Sequence, residues 1–310
     1  MKHPFIILIL VVFGGIAVSL ATGPMGLSAP DQVIIYLRLP RILLAIVSGA
    51  SLAVSGCVLQ AVLRNPLATP YTLGISAGAG VTAGFIILSG IYLPVFLVYL
   101  SGTLGALAAS TLTWFLAGRS RKDDSTLILA GVTVNLLGAS VLLLIEYSSS
   151  ASRLVEIVRW MMGDLAVAGF GRVLFLLPFF VSGMVPVLLK TGVLNQFLAG
   201  NEMAESRGVN TVRERFLLLI TAAVLAGGAV GAVGPIGFVG LIVPHTMRRL
   251  AGGDYRRLLP LSALGGAALM LWADVVSRTV VSPAELPIGV ILSIIGGPFF
   301  LYLLIKRPRL

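Results

Sequence analysis

An all-α integral membrane fold of ten transmembrane helices is what this sequence predicts, and three observations predict it. Of its 310 residues, 57% are hydrophobic and only 11% are charged, whereas an ordinary soluble domain is about a quarter charged. The mean hydropathy is +1.03, and the charge-free runs are long enough to cross a bilayer, which takes about 20 residues per helix. The basic residues come in twos and threes between those runs, the distribution that sets membrane topology. Residues 1–310 therefore read as one transmembrane domain with the lipid bilayer as its solvent.

The runs free of Asp, Glu, Lys and Arg justify the spans in order. Residues 3–30 have a basic start, an apolar stretch and small residues near Ala21, a pattern shared with cleaved signal peptides. Because many spans follow, this run is taken as the first span. Residues 42–63 form the second, and the run 65–118 holds two more, broken near Gly90 and Pro94. Residues 125–145 and 173–189 are the fifth and sixth. The run 216–247 is interrupted by "GAVGPIGFVG", and its 32 residues are few for two full crossings. Parity decides here: Arg213 and Arg215 precede the run and Arg248 and Arg249 follow it. With both ends cytoplasmic, the chain crosses twice through short helices, or dips in and returns. Residues 258–273 and 286–305 complete ten spans with both termini in the cytoplasm. Only six of the 22 basic residues then lie outside: Arg38, Arg41, Arg153, Arg159, Arg172 and Arg278.

The formal charge of +10 does not point to nucleic acid, because the basic residues flank apolar runs instead of forming a stripe. Glycines at four-residue spacing, such as Gly74/Gly78, Gly80/Gly84 and Gly227/Gly231, let helix backbones approach closely where lipid supplies no hydrophobic drive. Gly78 to Ala83 also fits a dinucleotide fingerprint, but no strand precedes it and no acidic partner follows, so helix packing is the reading. Two histidines, His3 and His245, and the single Cys57 offer no metal-ligand cluster. None of the four lysines follows a glycine, so no nucleotide-binding loop of the Gly-Lys-Ser/Thr type exists. An intramembrane protease would need paired aspartates or a Ser/His pair, and Asp274 is the lone aspartate in an expected span. Neither an enzyme nor a metal site is expected.

A transporter remains, and its energy source is the question. An ion-coupled secondary carrier places an ionisable group near the membrane centre. Here Glu146 and Asp274 lie near span ends, and Asp274 precedes Arg278 by one helical turn, where a simple pair is expected. The central polar groups, Gln60, Thr133, Asn135 and Ser293, are neutral; each is a pathway candidate, although interhelical hydrogen bonding is the commoner role of such groups. The residues favour a passive conduit driven by something else, with an ion-coupled secondary transporter as the alternative.

The stretches "RLPRILLAIVSGASLAVSGCVLQAVLRNPLATPYTLGISAGAG", "LILAGVTVN", "WMMGD" and the long run from "GPIGFVGLIVPHTMRRL" to "GGPFFLYLL" resemble the FecCD-type permeases of type II ABC importers. Those permeases carry iron-siderophores, haem or cobalamin. The resemblance covers essentially the whole chain and implies the type II ABC importer permease fold in a bacterial or archaeal inner membrane. It further implies a homodimer, two cytoplasmic ATPase subunits that use ATP and Mg, and an external or periplasmic substrate-binding protein. The chain itself would bind no cofactor and catalyse nothing.

Residue by residue, the resemblance assigns Arg38, Arg41 and Arg278 to docking, as outward cations at the rim that meet acidic groups of the binding protein. Snorkelling anchors for the start of the second span are the competing role. Residues 198–210, "LAGNEMAESRGVN", resemble the segment that couples to the ATPase: Gly200, Glu202, Ala204, Gly208, Val209 and Asn210 fit. Glu205 stands where a basic residue is usual, and Arg207 where an apolar one is. Asp124, Ser125 and Thr126 align with a cytoplasmic gate, where carboxylates would repel across a two-fold axis unless Arg121 or Lys122 neutralises them. A topogenic charged loop is the other reading of that segment. The cargo stays open among iron-siderophore, haem, cobalamin and an oxyanion.

Overall fold

The structure is a computed structural model that describes residues 3–22, 30–91, 94–118, 124–282 and 284–305. All regular secondary structure among them is helical. After α1 (His3–Ala21) comes a continuous rod of 32 residues, Asp31–Val62. It consists of α2 (Asp31–Val33), a π-helical turn (Ile34–Arg38) and α3 (Leu39–Val62). The wide turn has a cause in the sequence. Pro40 lacks an N–H and its ring would strike the carbonyl four residues back, and the widened turn, closed by the Leu39 N–H on the Ile34 carbonyl, keeps the rod unbroken.

A 3-10 turn (Pro70–Leu73) leads to α4 (Ile75–Ser89), α5 (Val95–Leu116) and α6 (Asp124–Tyr147). Then follow α7 (Ala151–Met161), α8 (Gly171–Leu189), α9 (Thr191–Leu198) and α10 (Asn201–Ser206). The chain continues through α11 (Thr211–Val233), α12 (Val239–Ala251), α13 (Tyr255–Thr279) and α14 (Ile288–Ile305). The ten expected spans fall in order on α1, the α2–α3 rod, α4, α5, α6, α8, α11, α12, α13 and α14. Seven of these are long and apolar enough to cross a membrane; α4 and α14 are shorter, and α12 has 13 residues.

Two differences from the sequence reading matter. The run 216–247 is shared by two helices of unequal length that both extend beyond it: α11, of 23 residues, starts ahead of it at Thr211, and α12, of 13, ends after it at Ala251. Because α11 starts at Thr211, it carries Arg213, Glu214 and Arg215 inside a helix instead of ahead of it. Second, α7 corresponds to no apolar run, because Arg153, Glu156 and Arg159 punctuate it.

The core is built around α3, which is buried along nearly its whole length by α13, α11, α12 and α8. Such enclosure works only where backbones can touch. A Cβ on Gly49 would lie 2.3 Å from the Gly266 carbonyl oxygen, and one on Gly56 would lie 2.0 Å from that of Gly240. Helices in lipid associate through this kind of close packing. The buried serines of α3 have partners: Ser55 donates to the Ala222 carbonyl of α11 at 2.8 Å, and Ser51 to its own helix at Val47, also at 2.8 Å. Gly227 and Gly231 of α11 face Ala106 and Thr103 of α5, and Gly78 faces Gly105. The spaced glycines, including Gly78 and Gly80 of the apparent fingerprint, thus serve helix contacts.

Between α11 and α12 the chain breaks at Gly234, with φ of 74°, and Phe238, with φ of 67°. The left-handed conformation is costly for a bulky residue. The Phe238 ring fills the space that a side chain at Gly296 of α14 would need, only 2.3 Å from where that Cβ would stand.

Replacing Gly266 with alanine sets a Cβ 2.2 Å from the Gly49 carbonyl oxygen, and is expected to destabilise the bundle by roughly 1–3 kcal/mol. Gly14→Ala, whose Cβ meets nothing within 4 Å, is expected to be neutral. Thermal unfolding of both variants in detergent checks the contrast.

Candidate functional site

Arg38, Arg41 and Arg278 meet at the end of the bundle where α3 begins and α13 finishes. Arg38, on the π turn, is buried and donates to the Leu20 carbonyl at the end of α1. Asp274 of α13 is the centre of the group. Arg41 Nε donates to Asp274 Oδ1 at 2.8 Å. Arg278 Nε stands 3.1 Å from Asp274 Oδ2, a charge contact whose angle lies outside a hydrogen bond. Arg278 also donates to Ser19 Oγ at 2.7 Å and approaches the Thr22 carbonyl at 3.5 Å, which ties α13 to α1. Arg41 Nη1 reaches Glu285 at 2.9 Å.

Arg41 and Arg278 therefore share the buried Asp274, and Arg41 also meets Glu285, which is 44% exposed. The side chains of Arg41 and Arg278 are 11% and 10% exposed. All three side chains are largely buried: Arg41 and Arg278 lie beside Asp274, whose buried carboxylate needs opposite charge next to it, and Arg38 lies on the Leu20 carbonyl. The one-turn pair of Asp274 and Arg278 is present as expected. Sequence reasoning missed that Arg41 shares Asp274 and that Glu285 covers Arg41. The available signal was topology, which puts the start of the second span and the end of the ninth at the same side.

A cavity of about 540 Å³ opens beside this group, lined by Arg41, Arg159, Asp164, Arg172, Asp274 and Glu285 among others. A larger one, about 1000 Å³, has no charged residue among the described residues that line it. Leu67, Tyr71, Met161 and Phe238 form much of its surface, with the hydroxyl-bearing Ser76 and Ser293. Of the four pathway candidates only Ser293 reaches it, while its hydroxyl bonds to the Gly289 carbonyl at 2.7 Å. Gln60 is buried and donates to the Gly240 carbonyl at 3.3 Å, an interhelical bond. Thr133 is exposed on α6 and donates to the Leu129 carbonyl at 2.9 Å. Asn135 is half-buried on the same helix. Gln60, Thr133 and Asn135 line neither of these cavities.

At the opposite end, where α3 finishes, a second polar group assembles. Arg64 follows α3 with φ of 44°, and its guanidinium meets Asp124 Oδ2 at 2.6 and 2.7 Å. Arg215, buried within α11, stands 2.7 Å from Asp124 Oδ1. That contact again lies outside hydrogen-bond alignment. Asp124, Ser125 and Thr126 are the first residues of α6. The neutralising charges for Asp124 are Arg64 and Arg215 of the same chain; Arg121 and Lys122, named from the sequence for that role, lie outside the described residues.

The segment 198–210 forms a short helix, α10, between Gly200 and Gly208, whose φ values of 105° and 82° suit glycine. Glu202, Arg207 and Gly208 are exposed, whereas Ala204 is buried. Glu205 accepts from Thr211 Oγ1 at 2.5 Å, so the acid at this departing position serves an internal bond. One contact holds the segment's own Asn201 and two more tie the elements on either side of it. Arg215 donates to Asn201 Oδ1 at 3.2 Å, Lys190 pairs with Glu214, and Asn195 of α9 donates to Asp254 at 2.8 Å. The Asn195 amide and the Arg256 N–H hold the exposed Asp254 carboxyl below its ordinary value.

The profile of the FecCD transport family matches residues 4–306. The hemin transport system permease protein HmuU of Yersinia pestis is 40% identical over 275 residues, 87% of this chain and 82% of that protein. The cobalamin import system permease protein BtuC of Halobacterium salinarum is 41% identical over 309 residues, 96% of this chain and 82% of that one. A solved inward-facing structure assigned to the metal-chelate type of ABC transporter superposes with a TM-score of 0.91. It is 34% identical, and the match covers 99% of both chains.

Asp274→Asn leaves two buried guanidiniums without their shared counter-charge and is expected to cost about 3–5 kcal/mol of stability. Glu285→Gln removes an exposed partner and is expected to cost less than about 1 kcal/mol. Thermal unfolding in detergent, with the two variants side by side, separates the buried acid from the exposed one.

Proposed function

The chain belongs to the FecCD transport family, and from that premise we propose that it is the membrane-crossing subunit of an ATP-driven importer for a bulky metal chelate. It is an ABC transporter permease, and the chemistry of ATP is left to separate ATPase subunits. The observation that carries the reading is the match along 99% of the chain to a metal-chelate ABC transporter at 34% identity. In this reading two copies form a homodimer, each crossing the inner membrane ten times, with α4, α12 and α14 as the short crossings.

The end holding Arg38, Arg41 and Arg278 faces outward and receives the substrate-binding protein, whose acidic groups are oriented by the arginines gathered there. The end holding residues 198–210 faces the cytoplasm and seats Gly200, Glu202, Ala204, Arg207 and Gly208 against the ATPase. ATP binding and hydrolysis move that segment, α6 and α14 rearrange, and access alternates between the two sides. The uncharged wall of the 1000 Å³ cavity suits a large chelate whose metal charge is already wrapped by its ligand.

An ion-coupled carrier fits less well. Asp274, a buried acid within a span, is held between Arg41 and Arg278 at 2.8 and 3.1 Å near the end of α13 and does not line the larger cavity.

Two experiments test the proposal. The permease, reconstituted in vesicles with its ATPase and binding protein, is expected to take up one of three probes, hemin, cyanocobalamin or ferric citrate. Uptake should require ATP and persist when ionophores collapse the ion gradients; uphill accumulation by the permease alone would refute the reading. The coupling assignment is tested by Glu202→Lys on the exposed face of α10, which is expected to weaken co-purification with the ATPase. Undiminished co-purification would count against it.

A further inference from the structure

One carboxylate gathers four parts of the chain at the end where α3 finishes. Asp124 Oδ2 is held by Arg64, just beyond α3, and Asp124 Oδ1 by Arg215 of α11. Arg215 also donates to Asn201, the first residue of α10, and its guanidinium lies 5.9 Å from the Phe197 ring of α9. Asp124 itself opens α6, where a negative charge is favoured by the helix dipole. The two arms differ in environment: Arg215 is 1% exposed and Arg64 is 38% exposed. Separating a buried ion pair is far costlier than separating an exposed one. Arg215 has no water to replace Asp124 and keeps the carboxylate, whereas Arg64, although it makes the hydrogen bond, is exposed enough to exchange Asp124 for water and can let go.

We propose that Asp124 is a positioning residue that fastens α10 to the start of α6 through Arg215, so that displacement of α10 is delivered to α6. The inference rests on the importer reading, in which α10 is pushed by the ATPase. Without the fastening, α10 would still seat in the ATPase and α6 would not follow. Arg64 tethers the same carboxylate to the end of α3 and releases it when α6 moves.

The test follows α6 directly. Leu129 is an exposed residue of α6, and the single native cysteine, Cys57, is buried, so Leu129→Cys gives a selective spin-label site. In the complex with the ATPase, pulsed EPR measures the distance between labels on the two permease copies, with and without AMP-PNP and Mg. The wild-type background is expected to shift on nucleotide binding, and Asp124→Glu is expected to keep the shift. Asp124→Asn, and the apolar pair Asp124→Leu with Arg215→Met, are expected to assemble, bind a fluorescent nucleotide and lose the shift.

A wild-type-like shift in either neutral variant would overturn the proposal alone. Failure of both neutral variants to assemble, while Asp124→Glu assembles, would show a folding role only and overturn it as well. No nucleotide response in the wild-type background would instead sink the importer reading, and the fastening with it.

Discussion

The bundle depends on the contact of bare backbones along α3. With Gly49 against Gly266 and Gly56 against Gly240, a helix can be enclosed by four others at distances that any larger side chain would forbid. Lipid gives such an arrangement no hydrophobic help, since a leucine is as well solvated by acyl chains as by protein. What holds α3 is close packing plus hydroxyls turned onto carbonyls, as at Ser55 and Ala222. Both polar ends of the molecule are consequences, because Arg41 and Arg64 are carried at opposite ends of one rigid rod.

Each described ion pair joins residues from the same end of the bundle. Arg41 and Arg278 share Asp274, and Arg64 and Arg215 share Asp124. The symmetry is chemical, one carboxylate between two guanidiniums, buried at Asp274 and half-buried at Asp124, and its effect is to tie non-adjacent segments where the backbone alone leaves them separate. At the first end the ties run from α3 to α13 and α1; at the second, from α3 to α6, α11 and α10. The described residues that line the larger cavity include none of these charged groups.

Much of the fold was legible because hydrophobic runs and glycine spacing report helices that lipid or other helices surround. The ten segments, the break near Gly90 and the interruption at "GAVGPIGFVG" all have counterparts. The candidate site was less legible, for a physical reason. A charge beside an apolar run reads as a boundary marker, yet Arg215 sits inside α11 and Arg38 inside the rod, each buried by partners distant in sequence. Arg41 and Asp274 are 233 positions apart, and no local pattern announces such a pair. α7 escaped for the opposite reason: its three charges broke the run that would have disclosed it.

Phe238 carries one more implication. Its backbone is held in a conformation that disfavours bulky residues, and its ring rests in the notch left by Gly296. The ring also belongs to the wall of the larger cavity. Any sliding of α14 past the elbow between α11 and α12 must therefore lift an aromatic wedge out of its seat, and doing so would change the bore of the chamber at the same stroke.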